Sequence, residues 1–234
     1  MKYTTHKLET WNLKPASSIY KLLTMNYELL TQFSDQYTSK EDGLLAEIND
    51  FTHQHHAEPH MLSGHVQGQV LKMFSHMVRP SRILEIGTFT GYSALCLAGG
   101  LADDGILHTI EFREGTAAIA QGFFDRSEYK NKVKLHVGNA AEIIPQLNET
   151  WDLVFIDADK VSYINYFELV LPQVKKNGFI LADNIFFHGE ALKENAKGKS
   201  AKAVKEFNDF INQRTDIEKV VLTVRDGLYL IRKI

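Results

Sequence analysis

The sequence predicts an open α/β fold: a mostly parallel, seven-stranded sheet with an antiparallel last strand and helices on both faces. Three observations predict it. From residue 61 onward, apolar runs of strand length alternate with stretches of helical period. The runs Trp151-Asp152-Leu-Val-Phe-Ile156 and Phe179-Ile-Leu-Ala182 are apolar almost throughout, as strands covered on both faces are. Only Arg225-Asp226-Gly227 separates the last two apolar runs, which is too short for a parallel crossover and suits an antiparallel turn.

The elements follow in order. Residues 1 to about 60 are rich in Tyr, Leu, Thr and Gln, lack strand-like runs and read as short helices, a segment suited to a lid or a dimer contact. Residues 61–234 then form the main domain. A helix at 67–77 leads to a strand at 82–86 and a helix at 92–99. A strand at 106–110 precedes a helix at 115–124, and a strand at 133–137 precedes a helix at 140–147. A strand at 153–156 is followed by a helix at 162–174 and a strand at 179–181. A last helix at 200–213 precedes strands at 217–224 and 228–231. Such alternation implies right-handed crossovers.

Composition narrows the function classes. The chain has 234 residues, 44% hydrophobic and 24% charged, enough for one large domain with a buried core. A formal net charge of −3 gives no reason to expect nucleic-acid or anionic-membrane binding. The single cysteine, Cys96, excludes an internal disulfide and suits a reducing compartment. The start, Met1-Lys-Tyr-Thr-Thr-His6, has no apolar signal core, and no run reaches the length of a membrane span, so a cytoplasmic protein is expected.

The chemistry gathers at strand ends. One apolar strand stops at Asp157-Ala-Asp159-Lys160 and another at Asp183-Asn184. In a parallel sheet, ligands sit outside the carboxyl ends of the strands. If these two strands are neighbours, Asp157, Asp183 and Asn184 converge, and three oxygen ligands suit a hard divalent cation. A third strand runs into Gly87-Thr-Phe89-Thr-Gly91-Tyr-Ser93, where glycines permit a tight turn and the following helix offers free amides to an anion. The Gly-x-x-x-Gly spacing differs from that of pyrophosphate binders. Glu85 lies inside that apolar strand, where an acid is costly without a partner. Glu111 ends the next strand, 24 residues after Gly87, where Rossmann-like folds hold ribose hydroxyls. Phe112 beside it could pack on a base, and Gly138-Asn139-Ala140-Ala141 could let a flat ring lie close.

These residues resemble the cation-dependent O-methyltransferases typified by the caffeoyl-CoA and catechol O-methyltransferases. The resemblance is carried by Leu84-Glu-Ile-Gly-Thr-Phe-Thr-Gly-Tyr-Ser93, Ile110-Glu111, Phe155-Ile-Asp-Ala-Asp-Lys160, Leu181-Ala-Asp-Asn184 and Asp226-Gly-Leu, and covers roughly residues 60 to 234. It implies a Rossmann-like class I methyltransferase fold, S-adenosylmethionine (SAM) as methyl donor and a divalent cation, usually magnesium, with calcium or manganese as alternatives. By the same resemblance Ser63, Gly64, Glu85, Gly87, Thr88 and Ser93 surround the methionine part of the donor. Phe89 flanks the sulfonium, and an aromatic face near a cation is favourable by about 0.5–2 kcal/mol. Glu111 holds the ribose, with Phe112 and Ala140 at the adenine, and Asp159 touches the donor. Asp157, Asp183 and Asn184 match the metal ligands, and Lys160 matches the proposed general base. A homodimer is the family expectation.

The implied activity is methylation of a hydroxyl on a small catechol-like or hydroxycinnamoyl acceptor. Two other readings stay open at this point: a methyltransferase acting on RNA or protein, and a donor-binding module without turnover. The first lacks an Asn-Pro-Pro-Tyr-like motif and a basic aromatic surface; the second leaves intact metal ligands and Lys160 unexplained. His53, His55, His56 and His60 form a histidine-rich stretch, but Pro59 interrupts helical spacing and no cysteine joins them, which disfavours zinc. Phe187 and His188, just after Asp183-Asn184, are candidate acceptor contacts.

Overall fold

A computed structural model describes residues 27–234. The short helices expected over 1–26 lie outside the described residues. The chain divides into two compact units, Met1–Tyr37 and Thr38–Ile234. In the first, helix α1 (Tyr27–Tyr37) stacks Phe33 on Tyr37 with ring centroids 4.3 Å apart.

The second unit is built on a seven-stranded sheet: β1 (Arg82–Ile86), β2 (Ile106–Glu111), β3 (Val133–Val137), β4 (Trp151–Ile156), β5 (Val174–Asp183), β6 (Ile217–Leu222) and β7 (Leu228–Lys233). Their order is β3-β2-β1-β4-β5-β7-β6. The first five strands pair in parallel, and β7 runs antiparallel to both β5 and β6. The predicted fold class holds, including the antiparallel finish.

Strand alternation explains the layering. Successive side chains point to opposite faces. Leu84, Val154 and Ile180 therefore meet helices α6 (Ala140–Ile143), α7 (Tyr163–Val170) and α8 (Lys199–Gln213), through Ala140, Phe167 and Phe207. Their neighbours Ile83, Phe155 and Leu181 meet α2 (Gly43–His55), α3 (His65–Val78), α4 (Tyr92–Ala98) and α5 (Glu114–Arg126), through Ile48, Leu71, Leu95 and Phe124. Burying each such side chain contributes about 1.5–3 kcal/mol. No helix among the described residues is long and apolar enough to cross a membrane.

Two helix boundaries differ from expectation, both at proline. The helix expected at 162–174 ends at Val170 and becomes a 3-10 turn, Leu171–Gln173, before β5 starts at Val174. Pro172 has no amide proton, so it cannot give the Glu168 carbonyl the bond that would continue the helical ladder. The helix expected at 140–147 likewise gives way at Ile143 to a 3-10 turn containing Pro145. β5 begins five residues earlier than the run Phe179-Ile-Leu suggests, since Lys175, Lys176 and Asn177 are polar strand residues.

Candidate active site

The strand order reverses between β1 and β4, the place at which open α/β sheets bind ligands. There a cavity of about 770 Å³ lies above the carboxyl ends of the strands. The two ends are in backbone contact: the Asp157 amide donates to Ile86 O at 2.9 Å. Gly87 is required here. Its φ is +98°, and a Cβ at that position would stand 2.0 Å from the Asp157 carbonyl oxygen.

The turn after β1 is held by side chains on β2. The Thr88 and Thr109 hydroxyls are 2.5 Å apart, and Thr109 donates to Glu85 Oε2 at 2.5 Å. Glu85 Oε1 has no hydrogen-bond partner among the described residues. Burial is the main reason that this carboxyl is pushed up to about 8; the Ser93 and Thr109 hydroxyls pull it down, and Asp157 and Glu111 push it further up. Glu111 accepts from the Phe89 amide at 2.8 Å and from the Arg113 amide at 3.0 Å, so it shapes the turn as well as facing the cavity. Phe89, at φ +51°, packs nearly perpendicular to the His56 ring, with centroids 4.5 Å apart. Arg113 pairs with Glu58 at 3.3 Å. The Thr52 hydroxyl of α2 meets Thr90 at 2.9 Å, which ties that helix to the turn.

The opposite wall comes from β4 and β5. Asp157 follows β4, Asp183 is the last residue of β5, and Asn184 comes next at φ +55°. Both Asp183 oxygens are buried without a hydrogen-bond partner among the described residues. Its carboxyl is raised above the usual carboxylate range, by burial first and then by Asp157, with Lys160 and the nearby Gln67 amide acting the other way. Lys160 Nζ lies 3.1 Å from Asp157 Oδ1 and also donates to the Tyr163 hydroxyl. Asp159 accepts from Ser162 Oγ at 2.5 Å and from the Tyr166 hydroxyl at 2.7 Å.

A family model for O-methyltransferases matches residues 35–234. The chain belongs to the O-methyltransferase family. A catechol O-methyltransferase of Niastella koreensis is 32% identical over 193 residues, which span 81% of this chain and 86% of that protein. The crystal structure of an SAH-bound methyltransferase of Podospora anserina is 26% identical, with a TM-score of 0.83 over 91% of this chain and 98% of that one. The O-methyltransferase TomG of Streptomyces achromogenes, involved in tomaymycin synthesis and solved in complex with SAM, is 28% identical, with a TM-score of 0.80 over 88% and 96%. The resemblance read from the strand-end residues is borne out, and the protein is an O-methyltransferase.

Most of the predicted residues of this O-methyltransferase come together. Ser63, Gly87, Thr88, Phe89, Ser93, Glu111, Phe112 and Ala140 line the cavity on one side, and Asp157, Asp159, Lys160 and Asn184 on the other. Three do not reach its wall. Glu85 and Asp183 are buried beneath it, and Gly64 caps the start of α3 at φ +76°. Phe187 and His188 also line the cavity, and so does His60, whereas His53 binds the Asn49 carbonyl oxygen of its own helix. Among the described residues no three His, Cys, Asp or Glu side chains form a metal-binding group; the oxygen set here is two carboxylates and one amide.

Several wall residues went unassigned in the sequence. Tyr166, on the wall, and Tyr163, buried behind it, follow Lys160 at intervals of three, a helical spacing that was legible. Arg225 and Asp226 reach the site only because β7 inserts beside β5, which places the hairpin turn against residues 185–188. Asp226 Oδ1 accepts from the His188 amide at 2.8 Å, and the Asp226 carbonyl accepts from the Phe186 amide at 3.0 Å.

Proposed function

We propose that this O-methyltransferase transfers the methyl group of S-adenosylmethionine to a hydroxyl of a small catechol-like or hydroxycinnamoyl acceptor, with a divalent cation held by Asp157, Asp183 and Asn184. One observation carries the reading: Asp183, a buried carboxylate with no hydrogen-bond partner among the described residues, lies beneath the cavity wall that Asp157, Asn184 and Lys160 line. Unpartnered buried carboxylate oxygens are costly, and a hard cation is a ligand that relieves the cost. SAM-bound and SAH-bound relatives of the same fold support the donor.

The residues divide the work. The glycine turn and the free amides at the start of α4 suit the donor's carboxylate, and Glu85, beneath Ser93, suits its ammonium. The Phe89 ring offers its face to a sulfonium. Glu111 keeps acceptor capacity for ribose hydroxyls, with Phe112 and Ala140 for the adenine. When bound, the cation lowers the pKa of a phenol, which near 10 is mostly protonated at neutral pH, and holds vicinal oxygens in place. Lys160, as the neutral amine, takes the proton from the acceptor hydroxyl. The oxygen then gains the methyl group as the carbon–sulfur bond breaks. Residues 1–60 are assigned as a lid, a dimer contact or both, in a cytoplasmic homodimer; His56 on Phe89 and Glu58 on Arg113 support a lid role for the part from 38 to 60.

The test is methyl transfer from SAM to catechol and to a hydroxycinnamate, with magnesium and with chelator, scored by product. Monomethylated phenol that disappears on chelation is expected. Lys160→Met is expected to lower turnover by about 10²–10⁴ while donor affinity stays within a few-fold. Transfer that ignores the chelator, or transfer to RNA or protein alone, overturns the acceptor and metal reading. Donor binding with no transfer to any phenol would make the chain a binding module.

A further inference from the structure

The hydroxyl of Tyr163 has more to do than packing requires. The side chain is fully buried on the first turn of α7, with Phe207 edge-on at 5.3 Å. A phenylalanine would satisfy that contact. The hydroxyl instead sits where both strands of the β4–β5 wall end. It lies 3.2 Å from Ile156 O, at the end of β4, and 3.0 Å from Asp183 O, at the end of β5. A phenol has one proton to give, so it donates to one of these carbonyls at a time and keeps lone pairs to accept. It accepts from Lys160 Nζ.

Lys160 is thereby held at two points. Its Nζ contacts Asp157 Oδ1 at 3.1 Å and the Tyr163 hydroxyl, and it lies 4.6 Å from the centroid of the Tyr163 ring. A tetrahedral nitrogen with two of its three positions taken by protein has one left. Lys160 lines the cavity, so that position faces the acceptor side. A lysine side chain has four rotatable bonds and points in a fixed direction only when its end is tied.

We propose that Tyr163 is a positioning residue for the methyl-transfer reaction: its hydroxyl, fixed to the ends of β4 and β5, aims Lys160 Nζ at the acceptor oxygen. The inference rests on Lys160 being the proton acceptor proposed above. Tyr163 touches neither reactant and acts through the lysine. Small errors in the placing of a reacting group cost up to about 10²-fold in rate.

A double-mutant cycle of Tyr163→Phe and Lys160→Met tests this, with thermal unfolding as the control for folding. Turnover in Tyr163→Phe is expected to fall roughly 10- to 100-fold, with the donor KM changed less than about threefold. In the Lys160→Met background the same change is expected to cost less than about twofold, because the group being aimed is gone. Full turnover in Lys160→Met defeats the proposed base itself. A Tyr163→Phe loss that persists undiminished in the Lys160→Met background defeats the positioning role alone, since a merely structural tyrosine lowers both equally. A second readout needs no folded Tyr163 variant. In ¹⁵N-lysine spectra of the wild-type protein, one Nζ signal is expected to exchange slowly with water and to vanish in Lys160→Met. Rapid exchange of that signal overturns the proposal.

Discussion

Glu85 shows how burial can couple a single side chain to ligand binding. It was conspicuous in the sequence because an acid interrupts an apolar strand, but its depth was not legible there. That depends on β2 and α4 closing over it, with Thr109 and Ser93 as its hydroxyl neighbours. Burial holds its carboxyl near 8, so below that pH the donor-free protein keeps it protonated. SAM and its product SAH both carry an ammonium group, and a cation nearby favours the carboxylate. With the ammonium held at Glu85 as proposed, binding is expected to release a proton, and affinity to rise with pH between about 6 and 7.5. Calorimetry of SAH binding in buffers of different ionisation enthalpy is expected to show release approaching one proton at pH 6.5–7. Glu85→Gln is expected to abolish the release and weaken binding about tenfold or more. Wild-type binding without proton release would remove Glu85 from the donor site.

The turn after β1 is the element that makes the crevice, and glycine is there for space as much as for angle. At Gly87 a methyl group would meet the Asp157 carbonyl oxygen at 2.0 Å and its carbon at 2.7 Å, both backbone atoms of the neighbouring strand. Gly64 also has positive φ, at +76°, but a Cβ there meets nothing within 4 Å. Gly64→Ala thus carries the backbone cost alone, about 1–3 kcal/mol. Gly87→Ala must also force the β1 and β4 ends apart, and is expected to lower stability by more than about 3 kcal/mol and abolish SAH binding. Urea unfolding of the two variants checks the difference, and equal losses would mean that the strand ends separate freely. The strand-to-turn pattern at Gly87 was readable because strand, glycine and helix signals agree locally. The ends of α6 and α7 were misread because Pro145 and Pro172 override the helical apolar spacing around them. Asp226 was invisible as a site residue, since a hairpin turn says nothing about which strand the hairpin will join.

At the scale of the whole molecule, the topology followed from the alternation of runs, but the other end of the sheet holds a feature that alternation could not reveal. On β2, His108 is buried, its Nδ1 lies 3.1 Å from His136 Nε2 on β3, and its ring meets the edge of Trp151 on β4 at 5.5 Å. Glu149 Oε1 stands 3.8 Å from its Nε2, while Arg82 and Lys134 are the cations facing it. Burial, then His136 and Lys134, lower the imidazole to about 4, against the small opposing pull of Glu149. His136 is lowered too, by burial and Lys134. The folded state therefore binds fewer protons here than the unfolded chain between about pH 6.5 and 4. Stability that is fully present above 6.5 is lost as the pH falls towards 4, by about 2–3 kcal/mol for His108 alone. No strand of this sheet stands apart from the rest: β2 pairs with β1, and β1 with β4, so charging one buried imidazole strains the frame that carries the active site. Urea unfolding at pH 7, 5.5 and 4.5 is expected to show His108→Leu losing less stability on acidification than the wild-type protein, by about 2 kcal/mol at pH 4.5. If the two proteins lose stability in parallel, His108 takes up its proton without opening the sheet, and the acid sensitivity belongs to the carboxylates of the site instead.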